Sequence, residues 1–140
     1  MLKIRQFESS DKKAVIQLWH ECNLVVPWND PEKDIKRKLN VGGEYFLVGE
    51  FEDELVASVM GGYDGHRGYV NYLVVAPMYR SRGFAHMMMA GIETRLKAAG
   101  CPKINLMVRK TNIDTVEFYE SLGYRVDQSV ILGKRLIADN

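Results

Sequence analysis

A basic, glycine-containing turn between an apolar strand and a helix is the segment of this sequence best suited to chemistry. The turn consists of six consecutive residues: Arg80, Ser81, Arg82, Gly83, Phe84 and Ala85. It follows a predicted strand, 69–75, that ends before Pro77, and it opens a predicted helix, 84–99, that ends at Gly100. A helix start presents unpaired N–H groups and partial positive charge, and arginines add full charge with bidentate geometry. The turn therefore predicts a phosphate-binding site.

The turn alone leaves other interpretations open. Arg80 and Arg82 would be merely solvated if the segment were only a strand-to-helix connection, and a glycine-containing turn is a weak signal by itself. A mononucleotide-binding site is disfavoured, because the segment has neither the Gly-x-x-x-x-Gly-Lys-Ser/Thr loop nor the Gly-x-Gly-x-x-Gly pattern.

A second segment with the same order of elements follows downstream. The apolar run 103–108 predicts a strand, and Asn112 is a suitable cap for a helix that carries Phe118 and Tyr119. Gly123 supplies the C-terminal stop of that helix before Tyr124. The two segments together predict a strand-helix-strand-helix unit.

These paired motifs resemble the GNAT superfamily of acyl-CoA-dependent N-acyltransferases. The turn matches the signature Arg/Gln-x-x-Gly-x-Gly/Ala of that family, and the downstream Asn, Phe-Tyr and Gly-Tyr pattern matches too. The resemblance extends from residue 2 to about residue 135 and implies direct transfer of an acetyl group from acetyl-CoA to a primary amine. The acceptor stays open among a small metabolite, a peptide N-terminus and a protein lysine, as does a preference for a longer acyl-CoA.

The resemblance also implies where acetyl-CoA, as co-substrate and without a metal, would bind. The pantetheine arm would lie in a splayed opening between the strands 69–75 and 103–108, and the pyrophosphate would sit on the amides of residues 82–85. Asn112 would orient pantetheine or a water, although a helix cap explains it equally well. The implied cofactor-binding residues are Leu73, Val74, Val75, Arg80, Ser81, Arg82, Gly83, Phe84, Ala85 and Asn112.

Tyr119 occupies the position of the general acid in this resemblance. Its phenol, with a reference pKa of about 10, is protonated at neutral pH and suits a proton donor to the departing thiolate. A backbone N–H near Leu73 or Val74 would meet the developing oxyanion. Packing beside Phe118 in the core is the alternative explanation for Tyr119.

The general base is not identified by the sequence. Many relatives have a glutamate on the fourth strand, but 69–75 contains no carboxylate or histidine. The candidates are His66, Asp64, and a water chain held by Asn71 and Tyr72.

The resemblance implies that the turn before Pro31, with Trp28, Asn29 and Asp30, lies where relatives line the acceptor pocket. Trp28, a large aromatic in a polar turn, would contact the acceptor or only cover the core, and Asp30 would bind an ammonium group or simply cap the next helix. The substrate-binding candidates are Trp28, Asp30, His66 and Asn71.

Length and composition predict one compact domain over residues 1–140, which the resemblance implies is an N-acetyltransferase domain. The 46% of hydrophobic residues suffices for one core, and the net charge of +1 gives no electrostatic reason to expect nucleic acid or a membrane as partner. Cys22 and Cys101 are too far apart in sequence for a zinc motif or a disulfide framework, so a reducing, cytoplasmic setting is expected. The composition leaves open whether the chain forms a homodimer.

The remaining elements complete an α/β fold of the α+β kind, with helices on both faces of a mixed sheet. Antiparallel N-terminal strands precede the β-α-β-α unit, whose parallel pair is splayed, as the resemblance implies. A strand is predicted at 2–7, a helix capped by Ser9 or Ser10 after it, and a second helix that begins at Pro31 and ends at Gly42.

The other predicted strands lie in the middle and at the end of the chain. The runs 45–51 and 55–63 predict a hairpin, with a bulge or bend at Gly61 and Gly62, and 124–127 and 130–134 predict two short strands. The alternative to an enzyme is a non-catalytic acyl-CoA-binding sensor or partner-binding domain.

Overall fold

The computed structural model describes residues 1–139 and contains nine principal elements. In chain order they are β1 (Lys3–Gln6), α1 (Lys12–Glu21), α2 (Pro31–Gly42), β2 (Phe46–Phe51), β3 (Glu54–Tyr63), β4 (Gly68–Val75), α3 (Phe84–Ala98), β5 (Ile104–Asn105) and α4 (Ile113–Ser121). Short 3-10 turns lie at Ser9–Asp11, Gly43–Tyr45 and Pro77–Tyr79.

The five strands form one mixed sheet in the order β1-β2-β3-β4-β5. The first three pairings are antiparallel, and β4 and β5 are parallel. The parallel pairing comprises only Gly68 with Ile104 and Tyr69 with Asn105, so β4 and β5 part after their first residues. The predicted mixed sheet with a splayed parallel pair is confirmed.

Both faces of the sheet are covered, which explains why its strands are apolar on both sides. Leu47, Val59 and Val70 pack with α3 in one core cluster, whereas Phe46 and Val48 pack with α1 and α2 in the other. Alternate residues of β2 thus serve opposite cores, as the two-residue period of a strand requires.

The start of α1 differs from the prediction. Its apolar stripe is confirmed, since Val15, Leu18 and Trp19 are buried, but neither Ser9 nor Ser10 is its cap. Both serines lie in a 3-10 turn, where Asp11 Oδ2 accepts a hydrogen bond of 2.8 Å from the Glu8 N–H. Asp11 is the N-cap in place of the serines, because Arg5 also binds its carboxylate through two nitrogens, at 2.7 and 2.8 Å.

The predicted bulge at Gly61 and Gly62 is wrong. These residues pair regularly with Val70 and Tyr69 on β4. A Cβ at Gly61 would lie 2.5 Å from the side chain of Ile92, so this glycine allows α3 to approach the sheet. The register shift between β3 and β4 lies instead between Ser58 and Met60.

Toward the C-terminus, one predicted strand is shorter than expected, and the strands predicted at 124–127 and 130–134 are wrong. The strand predicted over 103–108 comprises only Ile104–Asn105, and residues 122–139 contain no helix or strand. Strand propensity is realised only where a neighbouring strand accepts the backbone hydrogen bonds. Six large apolar side chains of this last stretch are exposed, namely Val126, Val130, Ile131, Leu132, Leu136 and Ile137.

Candidate active site

A cleft of about 340 Å³ lies between the end of β4 and the start of α4. Its walls come from α1, β4, the turn before α3, α3 itself and α4. The lining residues are Cys22, Leu73, Val74, Val75, Arg80, Ala85, Asp114, Thr115, Phe118 and Tyr119. Six of the predicted site residues are therefore brought together, namely Leu73, Val74, Val75, Arg80, Ala85 and Tyr119.

The floor of the cleft is the edge of β4 that β5 leaves free. In the described part of the chain, β5 pairs with β4 only as far as Tyr69. The backbone groups that β4 turns away from β3 beyond that point have no partner strand. An extended ligand with amide groups can take the place of the missing strand.

Arg80 turns back toward this edge and is not simply solvated. Its Nε donates to the Val75 carbonyl at 3.1 Å, and its Nη2 lies 3.6 Å from Cys22 Sγ. Cys22 Sγ also lies 3.6 Å from the Val75 carbonyl oxygen, and burial raises the pKa of its thiol. A guanidinium at the end of the cleft places positive charge where the strand meets the turn.

The turn before α3 has the backbone of an anion-binding site. Ser81 and Gly83 both have positive φ, +65° and +79°, and Gly83 is the N-cap of α3. No side chain caps the first N–H groups of this helix among the described residues. A Cβ at Gly83 would have no heavy atom within 4 Å, so the glycine is needed for its φ and for open access.

Arg82 lies outside the cleft. Its guanidinium carbon is 5.3 Å from the centroid of the Tyr79 ring and 5.6 Å from that of Phe51. These distances are typical of cation–π contacts. The predicted contact of Arg82 with phosphate therefore needs a movement of its side chain, whereas Arg80 already lines the cleft.

Tyr119 faces the cleft from α4. Its ring makes edge contacts with Phe118 and Tyr124, at centroid distances of 5.2 and 5.6 Å, so the core alternative and the functional interpretation are both compatible with its position. Burial raises the pKa of the Tyr119 phenol to about 12. The phenol is thus held in its neutral, proton-donating form at physiological pH.

Asn112 caps α4, and its side chain is committed to that task. Its Oδ1 accepts from the Thr115 N–H at 3.3 Å, and Asn112 is not part of the cleft lining. The first turn of α4 contributes Asp114 and Thr115 to the cleft instead. Sequence reasoning missed these two, although their place in the first turn after a cap was the available signal.

The two base candidates from the turn before β4 lie at the far end of that strand. His66 and Asp64 precede Gly68, and Asp64 Oδ1 accepts the backbone N–H groups of His66 and Arg67, each at 2.8 Å. These backbone bonds lower the pKa of Asp64. Seven steps of strand separate Gly68 from Val75, about 23 Å at 3.3 Å per residue. The structure does not bring His66 or Asp64 to the cleft.

Asn71 and Tyr72 are much nearer to the cleft. Asn71 is exposed and pairs with Met60 across the sheet, while Tyr72 directly precedes Leu73. The Tyr72 hydroxyl donates to Asp34 Oδ2 on α2 at 2.6 Å. Sequence reasoning missed Asp34, because the 38 intervening residues hide its proximity to β4.

Trp28 and Asp30 precede α2 and do not line the cleft. Trp28 is 50% exposed. Asp30 is the N-cap of α2, and its Oδ1 accepts from the N–H groups of Glu32 and Lys33 at 3.0 and 3.2 Å. The capping alternative is confirmed, and an additional contact with an ammonium group stays a prediction.

Substitution of Asp30 tests its capping role. Asp30→Ala should lower the free energy of unfolding by about 1 kcal/mol, because two N–H groups lose their acceptor. Asp30→Asn, which caps as well but lacks the charge, should keep the stability of the wild type. Urea unfolding of the three proteins measures this. An alanine variant as stable as the wild type would contradict the capping role.

Residues 1–139 contain no cluster of three or more His, Cys, Asp or Glu side chains suited to a metal ion. In the same range, no helix combines the length and apolar character needed to cross a membrane.

The chain is similar to known acetyltransferases in sequence. Residues 12–124 match a family model described as the acetyltransferase (GNAT) family. A protein of Yersinia enterocolitica described as an acetyltransferase is 52% identical over 138 residues, which cover 99% of this chain and 98% of that protein.

Two solved structures share the fold at low sequence identity. AAC(6')-Iy, in complex with the bisubstrate analogue CoA-S-monomethyl-acetylneamine, superposes with a TM-score of 0.80 at 15% identity, over 98% of this chain and 99% of that one. A predicted acetyltransferase of Clostridium acetobutylicum with acetyl-CoA gives a TM-score of 0.71 at 17% identity, over 95% and 96% of the two chains. At these identities the likeness concerns the fold alone.

Proposed function

The chain belongs to the GNAT family of acetyltransferases, and from that premise we propose that it is an acetyl-CoA-dependent N-acetyltransferase acting on a primary amine. One observation carries the proposal: the free edge of β4, the uncapped start of α3 and the protonated phenol of Tyr119 meet at one cleft. We propose that residues 1–140 form a single domain for this reaction.

The residues present fit acetyl-CoA. Leu73 and Val75 offer backbone groups on a free edge to the amides of the pantetheine arm, because the backbone of Val74 between them pairs with Ser58 on β3. The Val75 carbonyl becomes available if Arg80 releases it. The amides of residues 82–85 and the guanidinium of Arg80 suit a pyrophosphate. If Arg80 moved from the Val75 carbonyl to the pyrophosphate, it would exchange a neutral acceptor for a charged one. Hydrogen bonds to a charged acceptor are the stronger ones.

Acetyl-CoA, when bound, supplies an acyl group activated as a thioester. A backbone N–H near Leu73 is suited to stabilise the negative charge that develops on the carbonyl oxygen. Tyr119 holds a proton at Oη and donates it to the departing sulfur. No metal is required for these roles.

The proton of the attacking amine needs a separate route. The cleft lining contains no histidine and a single carboxylate, Asp114. Of the predicted bases, His66 and Asp64 are distant, so we propose that water held near Asn71 and Tyr72 carries this proton. The Asp34 carboxylate, 2.6 Å from the Tyr72 hydroxyl, gives that water chain a negative end.

The pH profile of turnover tests the protonation state of Tyr119. Because burial raises its pKa to about 12, the phenol stays protonated where an ordinary tyrosine, with a pKa of about 10, ionises. We expect kcat to show no loss due to Tyr119 between about pH 9 and pH 11. A falling limb near pH 10 that vanishes in Tyr119→Phe would contradict this expectation.

A panel of primary amines with acetyl-CoA tests the proposed function. The panel should include polyamines, amino sugars, peptides with free N-termini and lysine peptides, with release of the CoA thiol and mass spectrometry of each amine as readouts. Acetylation of one class of amine, at a rate proportional to the enzyme concentration, supports the proposal. Acetyl-CoA binding without acetylation of any amine would favour the non-catalytic sensor.

The predicted cytoplasmic location and the question of a homodimer are separate from this test. Both stay predictions.

A further inference from the structure

The most strained residue near the cleft is Tyr72 on β4. Its φ is +53°, a region that bulky side chains avoid. Between the pairs Ser58–Val74 and Met60–Asn71, β4 has two residues, Tyr72 and Leu73, where β3 has only Val59. Tyr72 therefore belongs to a β-bulge in which two residues face one.

Ser58 fixes the backbone of this bulge. Its Oγ donates to the Tyr72 carbonyl at 2.9 Å and accepts from the Trp19 indole Nε1–H at 2.9 Å. Ser58 and Trp19 have no exposed surface. One hydroxyl, placed among apolar neighbours, thus satisfies both the carbonyl of the bulge and the indole N–H.

Tyr72 is held through its side chain as well. Its ring stacks on Trp19, with a centroid distance of 3.9 Å and an interplanar angle of 11°. Its hydroxyl donates to Asp34 at 2.6 Å. Strained backbone persists where the surroundings fix it from several sides, and here α1, α2 and β3 each hold Tyr72.

The bulge decides which way the end of β4 faces. Because side chains alternate along a strand, removing one residue from the register reverses the faces of all those that follow. Leu73 packs on the α3 face, and Val74 packs on the α1 and α2 face. A regular strand would exchange their roles and realign the backbone groups that line the cleft.

We propose that Ser58 and Trp19 are positioning residues: by holding the Tyr72 bulge, they set the orientation of the β4 edge from Leu73 onward, where the proposed function places acetyl-CoA. The inference deepens the proposed function and rests on it for the identity of the ligand. Neither residue touches the ligand, since neither lines the cleft.

The experiment compares Ser58→Ala and Trp19→Phe with the wild type. Ser58→Ala removes both hydrogen bonds, and Trp19→Phe removes the indole donor while keeping an aromatic ring. Val15→Ala is the matched control, because Val15 is fully buried in the same cluster as Trp19 and its side chain forms no hydrogen bond. Each protein is studied at a temperature where circular dichroism shows it fully folded.

Two readouts are taken from each protein. Amide hydrogen exchange of the peptide that covers 71–75 measures how firmly the bulge is held, without any ligand. Calorimetric titration measures the affinity of the β4 edge for acetyl-CoA. We expect Ser58→Ala to exchange faster in this peptide and to bind acetyl-CoA at least about tenfold more weakly, a difference of about 1.4 kcal/mol. Trp19→Phe should change the exchange rate and the affinity in the same directions but by smaller amounts. Val15→Ala should change neither the exchange rate nor the affinity.

The outcomes separate this inference from the proposed function. If Ser58→Ala is destabilised but keeps the exchange and the affinity of the wild type, Ser58 is structural only and the inference is overturned. A wild type that fails to bind acetyl-CoA would overturn the proposed function and the ligand named here. The exchange data would then still decide whether Ser58 holds the bulge.

Discussion

Tyr119→Phe is expected to lower kcat about 100- to 10,000-fold, the range typical of general acid catalysis, while acetyl-CoA affinity changes by less than about threefold. The substitution removes one hydroxyl and keeps the ring that packs against Phe118 and Tyr124. Without the proton at Oη, the departing sulfur must leave as a thiolate or take its proton from water. Steady-state turnover on the acetylated amine, with calorimetric titration of acetyl-CoA, measures both quantities.

Tyr63→Phe is the matched control for this experiment. The Tyr63 hydroxyl contacts the carbonyls of Gly65 and Gly100, at 3.2 and 3.3 Å, and Tyr63 does not line the cleft. This variant should keep kcat within about twofold, since surface hydrogen bonds affect stability rather than chemistry. Unchanged turnover in Tyr119→Phe would remove the phenol from the mechanism and leave Tyr119 as a core residue.

Gly83→Glu is expected to weaken acetyl-CoA binding by at least about 100-fold, or about 2.8 kcal/mol. The carboxylate would stand at the start of α3, where the helix N–H groups would otherwise bind phosphate. A glutamate there both repels the pyrophosphate and competes for the same donors. Calorimetric titration measures the affinity.

Two control variants separate charge from backbone strain. Gly65 also has a positive φ, +94°, and also has no heavy atom within 4 Å of an added Cβ, so Gly65→Glu introduces the same charge and a similar strain away from the cleft. Gly83→Ala introduces strain in the turn without charge. Both should bind acetyl-CoA within about tenfold of the wild type. Undiminished affinity in Gly83→Glu would place the phosphate site elsewhere.

The parts of the site that the sequence predicted are those set by local interactions. Gly83 at the start of α3, the Asp30-Pro31 pair before α2 and Asn112 before α4 lie within a few residues of the helices that they begin. Caps and turns depend on short-range hydrogen bonds, so residue type and spacing are enough to recognise them.

The parts that the sequence did not predict depend on long-range contacts. Ser58 meets Trp19 across 39 residues, and Cys22 meets Val75 across 53. Cys22 ends the apolar stripe of α1, and nothing in that stripe shows that it also reaches the end of β4. The bulge at Tyr72 was missed for the same reason, because its register depends on β3 and on α1.

The C-terminal strands show the opposite error. The runs 124–127 and 130–134 have strand-like composition, but residues 122–139 form neither helix nor strand. Side-chain hydrogen bonds connect this stretch to the rest of the fold. The Tyr124 hydroxyl donates to Glu93 at 2.6 Å, and Asp139 accepts from Arg37 at 2.7 and 2.9 Å. Composition predicts propensity, whereas a strand also needs a partner edge.

Calorimetric titration of the wild-type protein with acetyl-CoA, beside dephospho-CoA and ATP, decides whether the β4 edge and the turn before α3 together form an acetyl-CoA site. We expect saturable binding of acetyl-CoA with one site per chain, weaker binding of dephospho-CoA, and no binding of ATP, which lacks the pantetheine arm. No binding of acetyl-CoA, or equal binding of ATP, would contradict the account.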